Sequence, residues 1–400
     1  MQIDQPYLFV EINDKNFIFL VVQYNQDLEF KILHSTITPS QGVINGKITD
    51  VLLSNKIIKE TVEKIEKKIN YIFKNVTVIC DQQDFSCVNI SGFKKLNGSQ
   101  ISNEDISYIL NNIKKTIIEN QPENSLVHLF NSNFVLDKTS LDKLPTGLYG
   151  EFYNQHMTFF LLSKINLKNL KLVFNNCSLN IERIIFKSFA EGIYFINKRS
   201  LNNSFALINI EKNKSNISFF KNFSLIYYET FPFGTDIILK DVSKLCTLNF
   251  FEVENIFEEI CFDKIQLENK DNYLDKNFFK ESSFRKISLG HLKDIIKART
   301  EEIANLIYKK NINLKHLLDG NKHIHLKLED LKIFKNLNKS FEKLFSEEIQ
   351  TIVEEVEQNE KMNACYGSAE LIGRGWEREA IPIIQTKKSI ISRLFSTFFK

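Results

Sequence analysis

The sequence predicts an internally duplicated α/β body, an α+β module inserted in its first half, and an amphipathic helix at its C-terminal end. Three observations carry that expectation. A three-strand opening at the N-terminus recurs from residue 205, residues 81–163 read as a self-contained α+β stretch, and the last residues place their large apolar side chains on one helical face.

Composition sets the outer bounds. Four hundred residues with 43% apolar side chains supply enough material for more than one core. Lys and Arg number 52 against 49 Asp and Glu, so the concentrated positive excess of a dedicated nucleic-acid binder is missing. The basic residues are almost all Lys and Asn is abundant, which reads as the drift of a low-GC genome. Six cysteines (Cys80, Cys87, Cys177, Cys246, Cys261, Cys365) show no C-x-x-C spacing and read as reduced thiols of a cytoplasmic protein. Met1–Pro6 lacks a basic region ahead of an apolar stretch, so no signal peptide is expected. No apolar run approaches the roughly 18–20 residues that span a bilayer, and a soluble body is expected.

In chain order, Tyr7–Val10, Phe17–Tyr24 and Phe30–Ile37 are β-rich runs separated by polar turns, an opening β-meander. Asp50–Phe73 carries apolar residues at helical spacing and is followed by the strand Val76–Cys80. The 81–163 module contains a strand at Ser86–Ile90 and a helix from Ser102 to about Glu119. Ser102 and Asp105 form a capping-box pattern at the helix start, and strands follow at Leu126–Leu136 and Phe152–Ser163. Helices are expected near Leu167–Asn175 and Ile181–Ile196. A second meander follows at Phe205–Ile210, Ser215–Lys221 and Phe223–Pro232. Helices are then expected over Ile237–Lys264, Leu289–Ile312 and Leu331–Glu357, with Glu347, Glu348, Glu354, Glu355 and Glu357 forming a solvated acidic face.

After Glu379 the chain carries no acidic residue. Ala380–Thr386 contains a proline and reads as a short linker to Lys387–Lys400. Ile390, Ile391, Leu394, Phe395, Phe398 and Phe399 fall at i, i+1, i+4, i+5, i+8 and i+9, one narrow face at 100° per residue. Lys387, Lys388, Arg393 and Lys400 supply cations around it, the pattern of a helix lying in a lipid interface. Each inserted side chain contributes on the order of 1 kcal/mol and each cation near anionic lipid about as much, while ordering the segment consumes much of the sum. One copy should therefore bind weakly and several tethered copies far more tightly.

Three features together resemble the bacterial cell-division FtsA family, which is actin-like. Pro39–Asp50 resembles the family's S-x-G…G-x-(I/V)-x-(D/N) approach to the first helix. Within the 81–163 module, Ile101–Ile106 resembles a family helix start, Leu126-Val127-His128-Leu129-Phe130 a family strand, and Pro145-Thr146-Gly147-Leu148-Tyr149-Gly150 the P-x-G-(L/M)-x-G turn. The amphipathic tail is the third. The resemblance runs in order along the whole chain.

It implies an actin-like fold of ribonuclease H-like duplicated halves. Subdomain 1A would cover 1–80 and 164–200, 1C 81–163, 2A 201–240 and 289–372, and 2B 241–288. A linker would follow at 373–386 and a membrane-targeting helix at 387–400. It also implies partners: the C-terminal peptide of the tubulin-like FtsZ, further copies of the chain in an actin-like polymer, later division proteins through 1C, and anionic lipids. The implied place is the cytoplasmic face of the inner membrane at the division site, and the implied role is tethering FtsZ filaments there. The FtsZ-peptide site of the family lies in 2B, and Lys297-Ala298-Arg299-Thr300-Glu301-Glu302-Ile303 matches its arginine-bearing helix, so Arg299 carries over. Arg285, Lys286 and Lys293 lie close in sequence and suit an acidic peptide.

The nucleotide site departs from the family. An actin-like ATP site needs small residues where backbone N–H groups meet phosphates, and a carboxylate to hold Mg²⁺ through water. Where the family has Asp-x-Gly-Thr-Thr, this chain reads Glu11-Ile12-Asn13-Asp14-Lys15-Asn16. Where it has Asp-x-Gly-Gly-Gly-Thr, the chain reads Asn209-Ile210-Glu211-Lys212-Asn213-Lys214-Ser215, and the Gly-Gly adenosine turn expected at 323–331 reads His323–Leu331. Asn13, Lys15, Lys212 and Lys214 are what a degenerate site retains. Side chains here obstruct the close approach of phosphate to backbone, so weakened or lost ATP binding and no hydrolysis are expected.

Other constellations carry less. His323-x-His325 with His316 nearby lacks a Cys or carboxylate to complete a metal site. No G-x-S-x-G elbow supports Ser-His-Asp catalysis. Trp376, the only tryptophan, is expected to pack where the linker leaves the body. Two rival readings stand beside the adaptor: a PilM-like type IV pilus assembly adaptor, and an actin-fold ATPase such as a sugar kinase or Hsp70-like enzyme.

Overall fold

The computed structural model describes residues 5–81, 84–141, 143–199, 204–260, 262, 272–314, 322–328, 338–346, 351–355, 362–376 and 378–380. The chain divides into two compact units. The first comprises Met1–Asn203, Phe220–Tyr227 and Lys361–Lys400, the second Ser204–Phe219 and Tyr228–Glu360.

The first unit opens with β1 (Pro6–Ile12), β2 (Asn16–Tyr24) and β3 (Phe30–Pro39), an antiparallel meander as the turns predicted. A two-stranded ribbon, β4 (Val43–Ile44) and β5 (Lys47–Ile48), leads into α1 (Val51–Ile69). Gly42 sits at φ +74, and a Cβ there would meet Asp50 O at 2.4 Å, which fits the glycine in the approach to this helix. Asp50 caps α1 through the Leu53 N–H, and Asn70 ends it in the left-handed region at φ 56. Strand β6 (Asn75–Cys80) then pairs parallel with β1.

The inserted module follows with β7 (Ser86–Lys95), α2 (Asn103–Asn120), β8 (Asn124–Leu136), β9 (Thr139–Leu141) and β10 (Phe152–Ser163). Ser102 and Asp105 form the full reciprocal capping box, a device that stabilises a helix start by about 1 kcal/mol. Ile106, Ile109, Leu110 and Ile113 of α2 bury against Phe134, Tyr153, Met157 and Phe159 of the sheet. The Pro145–Gly150 turn docks onto the helix start, since Ile101 N–H donates to Leu148 O and Gly147 N–H to Ile101 O.

Next come α3 (Lys164–Asn176), β11 (Asn180–Phe186) and α4 (Lys187–Arg199). Here the expectation of one helix over Ile181–Ile196 is corrected. Its first third is a strand pairing parallel with β6, and Ile184, Ile185 and Phe186 are buried in succession, as a strand covered on both faces requires. The sheet order is β11-β6-β1-β2-β3.

The chain then repeats this plan, in the second unit except for residues 220–227. Strands β12 (Ser204–Ile210), β13 (Ser215–Lys221) and β14 (Ser224–Phe231) are followed by α5 (Asp236–Cys246), α6 (Phe250–Glu259), a 3₁₀ turn at Lys276–Phe278 and α7 (Leu289–Ala304), which ends in a π-helical turn over Asn305–Lys309. Strand β15 (Lys322–Leu328), α8 (Asn338–Ser346) and β16 (Thr351–Glu355) complete it. The sheet order β14-β13-β12-β15-β16, with β15 parallel to both β12 and β16, has the same form as the first sheet. That shared order makes the molecule a duplication of one α/β unit.

Three further expectations are corrected. The helix expected over 237–264 is two helices, broken where Thr247 adopts φ 52 and Asn249 caps the second through a capping box with Glu252. Residues 323–328 are a strand between β12 and β16, so no adenosine turn lies there; 329–331 fall outside the described residues. Glu354 and Glu355 belong to a parallel strand, because Thr351–Glu355 pairs with β15; Glu347, Glu348 and Glu357 fall outside.

The chain then returns to the first unit. Helix α9 (Asn363–Arg374), assigned by the sequence division to the second half, packs against α4 and the first sheet. A Cβ at Gly367 would stand 1.9 Å from Ala190 O, so this helix pair needs glycine at its crossing. Strand β17 (Glu379–Ala380) pairs antiparallel with β8, opposite Phe130 and Leu129, at the edge of the inserted sheet.

Candidate functional site

The two hairpin turns that an actin-like protein uses for phosphate are closed by their own side chains, each within its unit. In the β1–β2 turn, Asn13 Oδ1 accepts the N–H of Lys15 at 3.1 Å and of Asn16 at 2.8 Å. Asn13 Nδ2 donates to Glu11 Oε1 at 2.9 Å, and Asp14 Oδ1 accepts the Gly46 N–H at 2.6 Å. The Asn13 side chain thus occupies backbone donors that a phosphate oxygen would otherwise take up. Lys15 is exposed.

Beneath this turn lies a buried charge cluster that the sequence did not mark. Lys187 Nζ stands 3.3 Å from Glu11 Oε1 and 3.1 Å from Asp81 Oδ2, with all three residues buried. Burial pushes the Glu11 carboxyl above its usual range and outweighs the opposing pull of Lys187. Lys187 opens α4 directly after the buried strand β11, a placement that no local pattern announces.

The β12–β13 turn has the same character. Asn209 Nδ2 donates to Glu211 Oε1 at 3.1 Å, and Lys214 Nζ stands 3.6 Å from that carboxylate. Lys212 reaches Glu254 at 3.4 Å and Asp236 at 3.8 Å. The Thr235 N–H donates to Glu211 O at 2.9 Å and the Asp236 N–H to Lys212 O at 2.8 Å, tying the turn to the start of α5. The cations offered as anion contacts are matched here by carboxylates. In the first turn Asn13 takes up two backbone amide donors, and in the second Lys212 and Lys214 stand beside carboxylates of the same unit. Among the described residues no group of three or more His, Cys, Asp or Glu has metal-ligand geometry, and His325 is buried beside the Phe205 ring, 5.5 Å between centroids.

In the second unit, Arg299 sits on α7 with Nε donating to Asp241 Oδ2 at 2.5 Å and a terminal nitrogen to Glu302 Oε2 at 2.7 Å. Arg285 and Lys286 are exposed, and Lys293 is half-buried. Around the loop after α6 the surface alternates aromatic rings and lysines. Lys276 lies 5.1 Å from the Phe284 ring, Lys280 5.8 Å from Phe251 and Lys286 5.8 Å from Tyr273, all three rings about half exposed. The loop is pinned by Glu252, which accepts the N–H groups of Glu281 at 2.8 Å, Ser282 at 2.9 Å and Asn249 at 2.9 Å, together with the Ser282 hydroxyl at 2.5 Å. Burial pushes the Glu252 carboxyl up, but these donors, the Ser282 hydroxyl first, outweigh it and hold the group at about 2.

A third constellation lies at the last described residues of the first unit. Glu379, 1% exposed, accepts from His128 Nδ1 at 2.5 Å on one oxygen and from Arg183 on the other. The Phe186 N–H donates to His128 Nε2 at 2.9 Å, so the imidazole is neutral with its proton on Nδ1, and burial lowers its pKa in keeping with this. Burial would push the Glu379 carboxyl up, but Arg183 and His128 hold it below the usual range. Arg378 lies 5.4 Å from the Phe134 ring, and its carbonyl accepts the Asn131 N–H at 3.0 Å. Trp376 packs edge-on to Phe189 and Phe223 and donates to Phe223 O at 2.6 Å. Lys387, Lys388, Ile390, Ile391, Arg393, Leu394, Phe395, Phe398, Phe399 and Lys400 lie outside the described residues.

Two sheets of the same order joined in one chain, the first bearing an inserted α+β module, define an actin-like protein. The PilM–PilN type IV pilus biogenesis complex contains a chain of this fold, matching 93% of this chain and 99% of its own with a TM-score of 0.58 at 10% identity, a likeness of fold. No family model matches the sequence. At the level of sequence it is similar to the cell division protein FtsA of Buchnera aphidicola subsp. Baizongia pistaciae, 20% identical over 346 residues that cover 82% of this chain and 79% of that one. It is also similar to FtsA of Neisseria meningitidis serogroup B, 19% identical over 308 residues, 77% and 74% of the two chains. The chain is a divergent relative of the FtsA proteins.

Proposed function

We propose that this protein serves in cell division as a non-enzymatic adaptor that holds FtsZ filaments to the inner face of the cytoplasmic membrane and recruits later division proteins. The observation that carries the reading is the ordered similarity to cell division proteins named FtsA over about four fifths of the chain. The C-terminal sequence supports the membrane half, since an amphipathic run with flanking cations suits an anionic lipid surface. Among the described residues no helix is long and apolar enough to cross a membrane. The second unit supports the filament half. Its Phe251, Phe284 and Tyr273 rings, interleaved with Lys276, Lys280 and Lys286, suit an acidic peptide that carries apolar side chains, and Arg285 adds an exposed cation beside them. Arg299, engaged by Asp241 and Glu302, shapes α7 and meets the peptide only by exchanging those carboxylates for the partner's.

The reading asks for neither nucleotide nor hydrolysis, and the amide donors taken by Asn13 and the carboxylates beside Lys212 and Lys214 support it. Copies of the chain assembling along a filament would multiply the weak contact of each tail. The test is a binding comparison on the full chain. The FtsZ C-terminal peptide should bind, and Lys286→Glu together with Arg285→Glu should weaken it by tenfold or more. Binding of a pilus-assembly partner's N-terminal peptide in its place would support the PilM-like reading instead, and tight MgATP binding with turnover would support the ATPase reading.

A further inference from the structure

We infer that the first unit carries a lipid contact on its own body, where the outer faces of α3 and α1 present lysines and exposed aliphatic side chains to an anionic bilayer surface. The inference rests on the membrane reading of the protein and uses none of the tail residues. Helix α3 contains no acidic residue. On it Lys164, Lys168 and Lys171 fall within about 60° of one another, and Ile165 and Leu172 run beside them. All five are exposed, Ile165 at 63% and Leu172 at 48%, while Leu170, Val173 and Phe174 on the other side are buried. Helix α1 lies alongside, since Asn55 Nδ2 donates to Val173 O at 3.1 Å. One turn before Asn55 stands Leu52, 81% exposed, and Lys56, Lys59 and Glu63 continue its stripe at i+4, i+7 and i+11. The β4–β5 ribbon packed beside α3 adds Ile44, 61% exposed. Four large aliphatics left in water amid a positive excess call for a partner that is anionic outside and apolar just beneath. The side-chain types select lipid over protein. Protein interfaces gather aromatic residues and Arg at their centre and are poor in Lys. Here the large side chains are Ile, Leu and Lys, and lysine's flexible stem and compact charge suit the diffuse charge of headgroups.

The test labels the lysines of the full chain with acetic anhydride and reads each site by mass spectrometry, with vesicles of phosphatidylcholine alone and with phosphatidylglycerol added. Lys168 and Lys171 should react at least about threefold more slowly on the anionic vesicles, whereas Lys115 on α2, with 76% of its side chain exposed, should keep its rate. Each lysine near anionic lipid strengthens binding by about fivefold, so Lys168→Glu with Lys171→Glu should weaken vesicle binding at least about tenfold. Both positions are on the surface, and the fold should be unchanged by circular dichroism. Unchanged labelling of Lys168 and Lys171 in a chain that pellets overturns the body contact and leaves the tail reading standing. Equal slowing at Lys115, or undiminished binding by the charge-reversed chain, overturns it as well. Slowing without vesicles that grows with protein concentration assigns the face to a second copy and overturns the lipid contact. A full chain that fails to pellet overturns the membrane reading and this contact with it.

Discussion

Replacing Glu379 by alanine should be among the most damaging single changes in the first unit. The substitution removes one carboxylate from between two buried partners, Arg183 at 5% exposure and His128 at 0%. A guanidinium is left in the interior without its counter-ion, and the His128 Nδ1–H loses its acceptor. Breaking a buried pair from one side costs about 3–5 kcal/mol, most of it the penalty of the stranded charge. For a unit of this size each kcal/mol lowers the melting temperature by about 2–4 °C, so the expected drop is roughly 6–20 °C. Near-ultraviolet circular dichroism of Trp376 follows that transition directly, since the indole sits three residues before Glu379. The double variant Glu379→Leu with Arg183→Met, which takes both charges out together, should recover most of the loss. A single-variant drop below about 2 °C, or a double variant worse than either single, would refute the reasoning.

Other outcomes follow from the same structure. One millimolar MgATP should raise the melting temperature by less than about 2 °C, since a dissociation constant at or above that concentration yields at most about 0.4 kcal/mol; a shift of 5 °C or more in differential scanning fluorimetry would reinstate a nucleotide site. Gly367→Ala should cost about 3 kcal/mol or more in urea unfolding, because the added methyl would stand 1.9 Å from the Ala190 carbonyl oxygen, a backbone atom that cannot swing away. Glu252 is held at about 2 in the fold against about 4.3 in an open chain. Its contribution is therefore fully present above about pH 4.3 and lost as pH falls toward 2, so Glu252→Gln should lower stability at pH 7 and flatten the acid limb between those values.

Much of the duplicated fold was legible because its strands and helices keep distinct periods. The run Phe152–Ser163 reads as a strand and is one, and the Ser102/Asp105 pattern yields the capping box it predicts. The failures have identifiable causes. Ile184-Ile185-Phe186 is a short apolar run in a parallel strand that leads straight into α4, and such a run cannot be told from a buried helix by periodicity. Thr247 breaks a helical pattern by taking a left-handed conformation that a threonine does not advertise. The missing glycines at Asn13 and Lys212–Lys214 were visible, but the groups that fill the turns were not. Lys187 lies 176 residues from Glu11, and Glu254 lies 42 from Lys212. Glu379 was hidden for the same reason: an acid before a proline-bearing stretch gives no sign of partners 196 and 251 residues away.

The central claim is that this chain joins a division filament to lipid through its C-terminal residues. Purified FtsZ with GTP should pellet with anionic vesicles when the full chain is present. It should stay in the supernatant with a chain ending at Thr386 or with Phe395→Glu. FtsZ that pellets equally with all three, or that stays behind while the full chain pellets, would contradict the account.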